Sequence, residues 1–239
     1  MALCALAYQR DARALPAGFT MEPPWDSGAT FSVLTGSSLH ACGGSGSTQD
    51  CLALDFPMNT GVTVRAAAGG TVRWADWYGN SSTWTCYGRS VSIAHDTGGV
   101  VTFYAHLNSI NVSSGQRVNL GDVIGTAGAT GTGTRCGSWG AHLHFAAYQN
   151  PTAPTTSPPY GGTALTIEFT NCTRNGSLAC TNIGNGNTLL RGTGGGGGGS
   201  CGAVSLGSPG DGAVLSNSTV NFSWSDTSGC THDGFTFRI

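Results

Sequence analysis

"RSVSIAHDTGGVVTFYAHL", residues 89–107, holds two runs of alternating apolar and polar residues separated by a glycine pair, Gly98 and Gly99. Alternation is the period of a strand with one buried face, and glycines between two such runs signal a hairpin. The two strands are therefore expected to lie antiparallel. On this reading Thr102, Tyr104 and His106 share one face and Val101, Phe103 and Ala105 the other. His95 falls at a strand end beside the turn and is expected to be exposed.

The same rhythm continues outward. "GVTVRAAAGGTVRWADWYGN" (residues 61–80) and "GQRVNLGDVIGTAGATGTG" (115–133) again set short β-type runs between glycine turns. Composition agrees: of 239 residues 39 are glycine and only 9% are charged, which leaves few helix formers. The fold class read from residues 26–190 is all-β, built of antiparallel sheets. "NPTAPTTSPPYGG" (150–162) is expected to be a surface loop, because proline donates no ladder hydrogen bond. "GTGGGGGGS" (192–200) has no side chains to bury and reads as a flexible linker. Beyond it, alternation through Val220, Phe222 and Trp224, then Phe235 and Phe237, resembles the beginning of an immunoglobulin-like or fibronectin-like β-sandwich. The expected division is a leader or pro-segment remnant at 1–25, a main domain at 26–190, a Gly-rich linker at 191–200 and a truncated sandwich at 201–239.

All ten basic residues are arginine and the formal net charge is −2, so no basic field exists to hold a phosphate backbone, and nucleic acid is excluded as a partner. No apolar run approaches the roughly 20 residues of a membrane-spanning helix. Nine cysteines are spread along the chain without a CxxC pair. Spread in this way they read as disulfides, which implies export to an extracellular or cell-wall location. A working set pairs Cys42 with Cys51, Cys86 with Cys136, Cys172 with Cys180 and Cys201 with Cys230, leaving Cys4 over.

Chemistry concentrates in "GAHLHF", residues 140–145. On a strand His142 and His144 project from one face while Leu143 faces the other. Such a pair can share a metal, can divide metal binding and proton transfer between them, or can be two satisfied polar residues. Asp55 stands between Leu54 and Phe56, where a carboxylate loses hydration and a cation would compensate it. Upstream, His40 is joined to Asp55 by a glycine- and serine-rich loop that a Cys42–Cys51 disulfide would pinch closed. His106 in "VTFYAHL" is a further candidate, whereas His232 has no evident partner.

"H…LDF", "YAHL" and "GAHLHF", in this order, together with "GQRVNLGDVIGTAG", resemble the lysostaphin-type zinc endopeptidases, in particular the staphylolytic and β-lytic protease branch. The resemblance runs from about residue 25 to 150. It implies the antiparallel β architecture called the duplicated hybrid motif. It implies one Zn²⁺ held by His40, Asp55 and His144, with His106 and His142 as the catalytic pair beside the metal. It also implies an endopeptidase acting on peptides of bacterial peptidoglycan, glycyl bonds being the expected target; the chain is further expected to be secreted, on the cysteines, and monomeric. The residue types suit that chemistry: two imidazoles and a carboxylate leave a tetrahedral zinc with one open position for water. Trp77, Tyr78, Trp84 and Tyr160 are candidate aromatic cleft walls. The alternative within the family is a non-catalytic module that binds the wall or regulates other hydrolases. From another class, a structural wall-binding protein leaves Asp55 unexplained.

Overall fold

A computed structural model describes residues 14–34, 52–79, 86–132, 136, 138–149 and 162–193, with the backbone of 205–208 and 223–225. The described residues contain no helix, hence none long and apolar enough to cross a membrane. The strands in chain order are β1 (Thr30–Ser32), β2 (Leu54–Pro57), β3 (Thr63–Arg65), β4 (Gly70–Tyr78), β5 (Gly88–His95), β6 (Val100–Ile110) and β7 (Arg117–Val118). There follow β8 (Val123–Ala127), β9 (His142–Gln149), β10 (Thr163–Ala164), β11 (Cys172–Arg174), β12 (Thr188–Arg191), β13 (Ser205–Ser208) and β14 (Ser223–Ser225). Every pairing is antiparallel. The all-β, antiparallel expectation therefore holds.

A nine-stranded sheet forms the body, with β10, β9, β6, β5, β4 and β7 in order, β2 on β9, and β8 joining β6 to β3. The hairpin expected at residues 89–107 is its centre: β5 and β6 pair from Ala94 and Val101 onward across a turn that holds Gly98 and Gly99. One face of this sheet packs Val91, Ile93, Tyr104, Leu143 and Phe145 into the main core. The other carries a smaller cluster of Ala53, Tyr87, Phe103, Ala105, Ala146 and Tyr148.

A three-stranded sheet, β1–β12–β11, joins the two ends of the domain. Its closure depends on residues that the sequence had suggested were a leader. Phe19, Met21 and Trp25 are buried in the main core. Arg191, fully buried, donates to Glu22 through Nη2 at 2.8 Å and Nε at 3.2 Å, and to the Trp25 carbonyl. Burial raises the Glu22 carboxyl above the usual range, although the guanidinium of Arg191 opposes this. The boundaries expected at 26 and 191 thus both cut through the folded unit, since a segment placed in a leader supplies core side chains and Arg191 belongs to β12 rather than to a linker.

The expected exposure of His95 is also corrected. His95 is buried: its Nδ1 lies 2.9 Å from the Gly69 carbonyl and its Nε2 2.8 Å from Thr102 Oγ1. A carbonyl only accepts, so Nδ1 carries the proton and Nε2 accepts from Thr102. Tyr104, whose hydroxyl accepts from the Ala67 amide, stands 3.1 Å from the same Thr102 oxygen. The strand end is covered because Phe19 packs on the imidazole at 5.1 Å.

Disulfides Cys86–Cys136 and Cys172–Cys180 are present as expected. Cys4, Cys42, Cys51, Cys201, Cys230, Trp84, His232 and all but the last residue of the 150–162 loop lie outside the described residues. In the tail, β13 and β14 pair with a register shift between Leu206 and Ser208.

Candidate metal centre and histidine pair

Asp55 is fixed by backbone on both sides. Its amide and carbonyl exchange hydrogen bonds with Leu34 at 3.1 and 2.8 Å, while across β2–β9 it stands opposite His144. Antiparallel neighbours directly opposite share a face, which explains how residues far apart in sequence meet. His144 Nδ1 lies 3.1 Å from Asp55 Oδ1, and His142 Nε2 lies 3.9 Å from the same oxygen. Register and period together thus put Asp55, His142 and His144 at one point, as the HxH spacing required.

His106 arrives there by a different route. Alternation along β6 would have put it with Thr102 and Tyr104 in the main core. Instead its φ is 62°, the left-handed region, and its amide donates to the Tyr87 carbonyl at 2.9 Å. The ladder is interrupted here: β5 pairs Tyr104 with Val91 and then Leu107 with Arg89, so the strand carries an irregularity at His106. The side chain consequently joins Phe103 and Ala105 on the opposite face, which corrects the face assigned from sequence. Its ring centroid is 4.5 Å from that of His142 and 5.9 Å from that of His144. A non-glycine residue held at such a φ costs on the order of 1–3 kcal/mol and persists only where its surroundings over-determine it.

Those surroundings can be named. His106 Nδ1 meets the Thr130 carbonyl at 2.8 Å, and Thr130 Oγ1 donates to the Leu107 carbonyl at 2.7 Å while accepting from the Arg89 amide at 3.0 Å. The Thr130 segment is pressed against the Cys86–Gly88 segment so closely that a Cβ on Gly131 would stand 2.1 Å from the Cys86 carbonyl oxygen, and one on Gly88 2.4 Å from the Thr130 carbonyl carbon. Both glycines have positive φ. The Cys86–Cys136 disulfide ties the same two segments together.

Tautomers follow from the partners. Thr130 O and Gly140 O accept only, so His106 and His142 each spend the Nδ1 proton on a carbonyl, the second at 2.8 Å. In the neutral form each therefore presents Nε2 as an acceptor. Burial pushes the His106 imidazole down to about 3, with His142 and His144 adding to the effect and the Thr130 carbonyl and Asp55 opposing it. His106 is neutral at physiological pH.

Tyr87 lies beneath the histidines, 5.5 Å from His144 and 6.4 Å from His106, and stacks on Tyr78 at 6.0 Å. Of the aromatic walls suggested by sequence, Tyr78 thus reaches the site through Tyr87 and Trp77 is exposed. Trp139 packs edge-on against His106 at 5.0 Å. Sequence reading passed over Tyr87, Thr130 and Trp139. For Thr130 the spacing "TGTG" beside a histidine strand was the available signal; for the other two there was none.

His40 lies outside the described residues, and among the described residues no group of three or more His, Cys, Asp or Glu is arranged to hold a metal. The donors that are described nonetheless suit zinc. Ligand pairs on a tetrahedral ion with bonds of about 2.0–2.1 Å stand roughly 3.3 Å apart, and the carboxylate oxygen and imidazole nitrogen of Asp55 and His144 stand 3.1 Å apart. A carboxylate with neutral imidazoles is also a donor set common to zinc sites.

Residues 50–155 match the model of Peptidase family M23. The chain is 36% identical over 94 residues to glycyl-glycine endopeptidase ALE-1 of Staphylococcus capitis, covering 38% of this chain and 23% of that protein. It is 32% identical over 111 residues to lysostaphin of Staphylococcus simulans, covering 44% and 20%. With the cell division protein DipM of Caulobacter vibrioides it shares 35% identity over 116 residues, covering 48% and 17%. The chain thus spans about a fifth of the length of these curated relatives. Among solved structures it is similar to lysostaphin from Staphylococcus simulans, at 26% identity and a TM-score of 0.40, covering 52% of this chain and 45% of that one. The matched span holds Asp55, His106, His142 and His144, and over residues 50–155 the chain is accordingly similar to Peptidase family M23 and to its lysostaphin-type members.

Proposed function

We propose that this protein is a secreted, monomeric zinc endopeptidase that hydrolyses glycyl bonds in the peptide cross-links of bacterial peptidoglycan. The observation that carries the reading is the convergence of Asp55 Oδ1, His144 Nδ1 and His142 Nε2 within 3.9 Å, beside a third histidine, His106, whose tautomer is fixed.

Asp55 and His144, with His40 as third donor, would hold one Zn²⁺. When bound, zinc polarises a carbonyl and lowers the pKa of its water to about 7. The remaining chemistry belongs to the chain. His106 and His142, both anchored through Nδ1, offer Nε2 lone pairs to a proton leaving the attacking water. The imidazolium so formed is the donor that returns the proton to the departing amine. A fixed ring orientation matters here because general-base catalysis needs the accepting nitrogen within hydrogen-bond reach of the proton. The pair is assigned jointly.

For the substrate, the relative named glycyl-glycine endopeptidase supports a glycine-rich peptide. The cross-strand neighbour of His144 on β6 is the small Ala105, and Ala146 belongs to the same face. Two disulfides support export. The tail from residue 201 is read as part of an immunoglobulin-like domain.

The test is incubation of the purified full chain with pentaglycine and with peptidoglycan, and mass analysis of the products. Cleavage between glycines, abolished by a chelator and restored by zinc, is expected. Intact substrates after prolonged incubation with zinc-loaded protein would refute the proposal.

A further inference from the structure

Each of the three other tryptophans whose side chains are described spends its indole N–H on a nearby backbone carbonyl. Trp25 donates to Ala29 at 3.0 Å, Trp74 to Asp76 at 3.2 Å and Trp77 to Gly79 at 3.0 Å. Trp139 does not. Its Nε1 is screened from solvent and has no hydrogen-bond partner among the described residues, although the residue as a whole is only half-buried. An indole N–H has one function in hydrogen bonding, donation, and a buried donor without an acceptor destabilises the free protein. Unsatisfied groups are rare enough in folded proteins that each requires an explanation.

The location supplies one. The Trp139 ring packs at 61° on His106, with centroids 5.0 Å apart, and its centroid is 6.4 Å from that of His142. The single indole with an unspent proton among the described residues is therefore the one beside the two histidines. What enters this region on the endopeptidase reading is a peptide, and a glycine-rich peptide has no side chains by which to be recognised. Its strongest acceptors are main-chain carbonyl oxygens, the same partner that the other indoles take within the fold.

We infer that Trp139 is a substrate-recognition residue whose indole N–H, covered in the free protein, is uncovered by a turn of the half-exposed side chain and donates to a main-chain carbonyl of the peptide lying against His106 and His142. This deepens the proposed function and rests on it. Hydrogen bonds of this kind close in the complex rather than before it, so the unmet donor is a feature of the free protein. A site built to hydrogen-bond a particular group discriminates against ligands that lack it, because its own polar atom is then left unpaired.

Trp139→Phe keeps an aromatic ring against His106 and removes the donor. Its kcat/KM on pentaglycine is expected to fall about 5- to 30-fold, mainly through KM, while Tm stays equal or rises because a buried unsatisfied group has gone. The second readout leaves the protein untouched. Thioamide analogues of a glycine peptide, each weakening one non-scissile carbonyl as acceptor, should reveal one position to which the wild type is sensitive, and Trp139→Phe should lose that sensitivity. Equal kcat/KM in the two proteins, or the same thioamide profile in both, overturns this inference alone. If the variant fails to fold, the wild-type scan decides, a flat profile refuting the inference and one sensitive position supporting it. A wild type inert on every peptide overturns the endopeptidase reading and this inference with it.

Discussion

Gly131→Ala should disable the site while leaving the domain folded. The added Cβ would stand 2.1 Å from the Cys86 carbonyl oxygen, more than 1 Å inside an ordinary carbon–oxygen contact of about 3.3 Å. Backbone faces backbone here, so no flexible side chain can give way and one segment has to move by roughly 1 Å. The segment that carries Gly131 also carries the Thr130 carbonyl, 2.8 Å from His106 Nδ1. Misplacing a catalytic group by about 1 Å costs on the order of 100-fold in rate. The strain of a non-glycine residue at φ 86° adds about 1–3 kcal/mol of lost stability. Gly115→Ala separates these effects, because Gly115 has φ 87° but a Cβ added there would meet nothing within 4 Å. It should lose comparable backbone stability and keep its activity. Measuring kcat/KM on pentaglycine and Tm for both variants tests the reasoning. Equal activity in the two would refute the claim that the Cys86–Gly88 and Gly131 contact aims His106.

Arg191→Met should cost about 3–5 kcal/mol, the penalty for leaving a buried carboxylate uncompensated, and Glu22→Leu/Arg191→Met should regain much of it; urea unfolding followed by circular dichroism measures both. His95 is held neutral by burial, its pKa lowered below the ordinary 6.5. Below about pH 6.5 the unfolded chain therefore binds a proton that the folded one does not, and stability falls with pH by up to about 1.4 kcal/mol per unit. His95→Gln should flatten the lower part of the wild-type curve of stability against pH, and parallel curves would contradict the buried neutral tautomer. His106→Ala should lower kcat by about 100- to 10,000-fold while bound zinc stays unchanged, a combination read from activity and metal content on the same sample.

The strand content and the antiparallel order were legible in residues 89–107 because alternation and glycine turns act locally. So was the projection of His142 and His144 from one face, which follows from period two alone. Asp55 stood out as a carboxylate in an apolar run, and its pairing with His144 across β2–β9 supplied the register that the run could not specify. His106 was found as a residue but put on the wrong face, because its left-handed φ depends on a clamp from Tyr87 and Thr130 that lies outside any local window. The burial of His95 under Phe19, and of Arg191 against Glu22 and Trp25, likewise depends on contacts between the two ends of the domain. A polar residue next to a turn reads as exposed unless that distant cover is known.

The most direct test of the central claim is native mass spectrometry of the full chain after zinc loading, with Asp55→Asn and His144→Ala measured beside the wild type. About one zinc per wild-type chain is expected, as for a catalytic site with three protein ligands, and neither variant should retain it. A wild type that binds no zinc, or variants that bind it as the wild type does, would contradict the assignment of Asp55 and His144 as metal ligands.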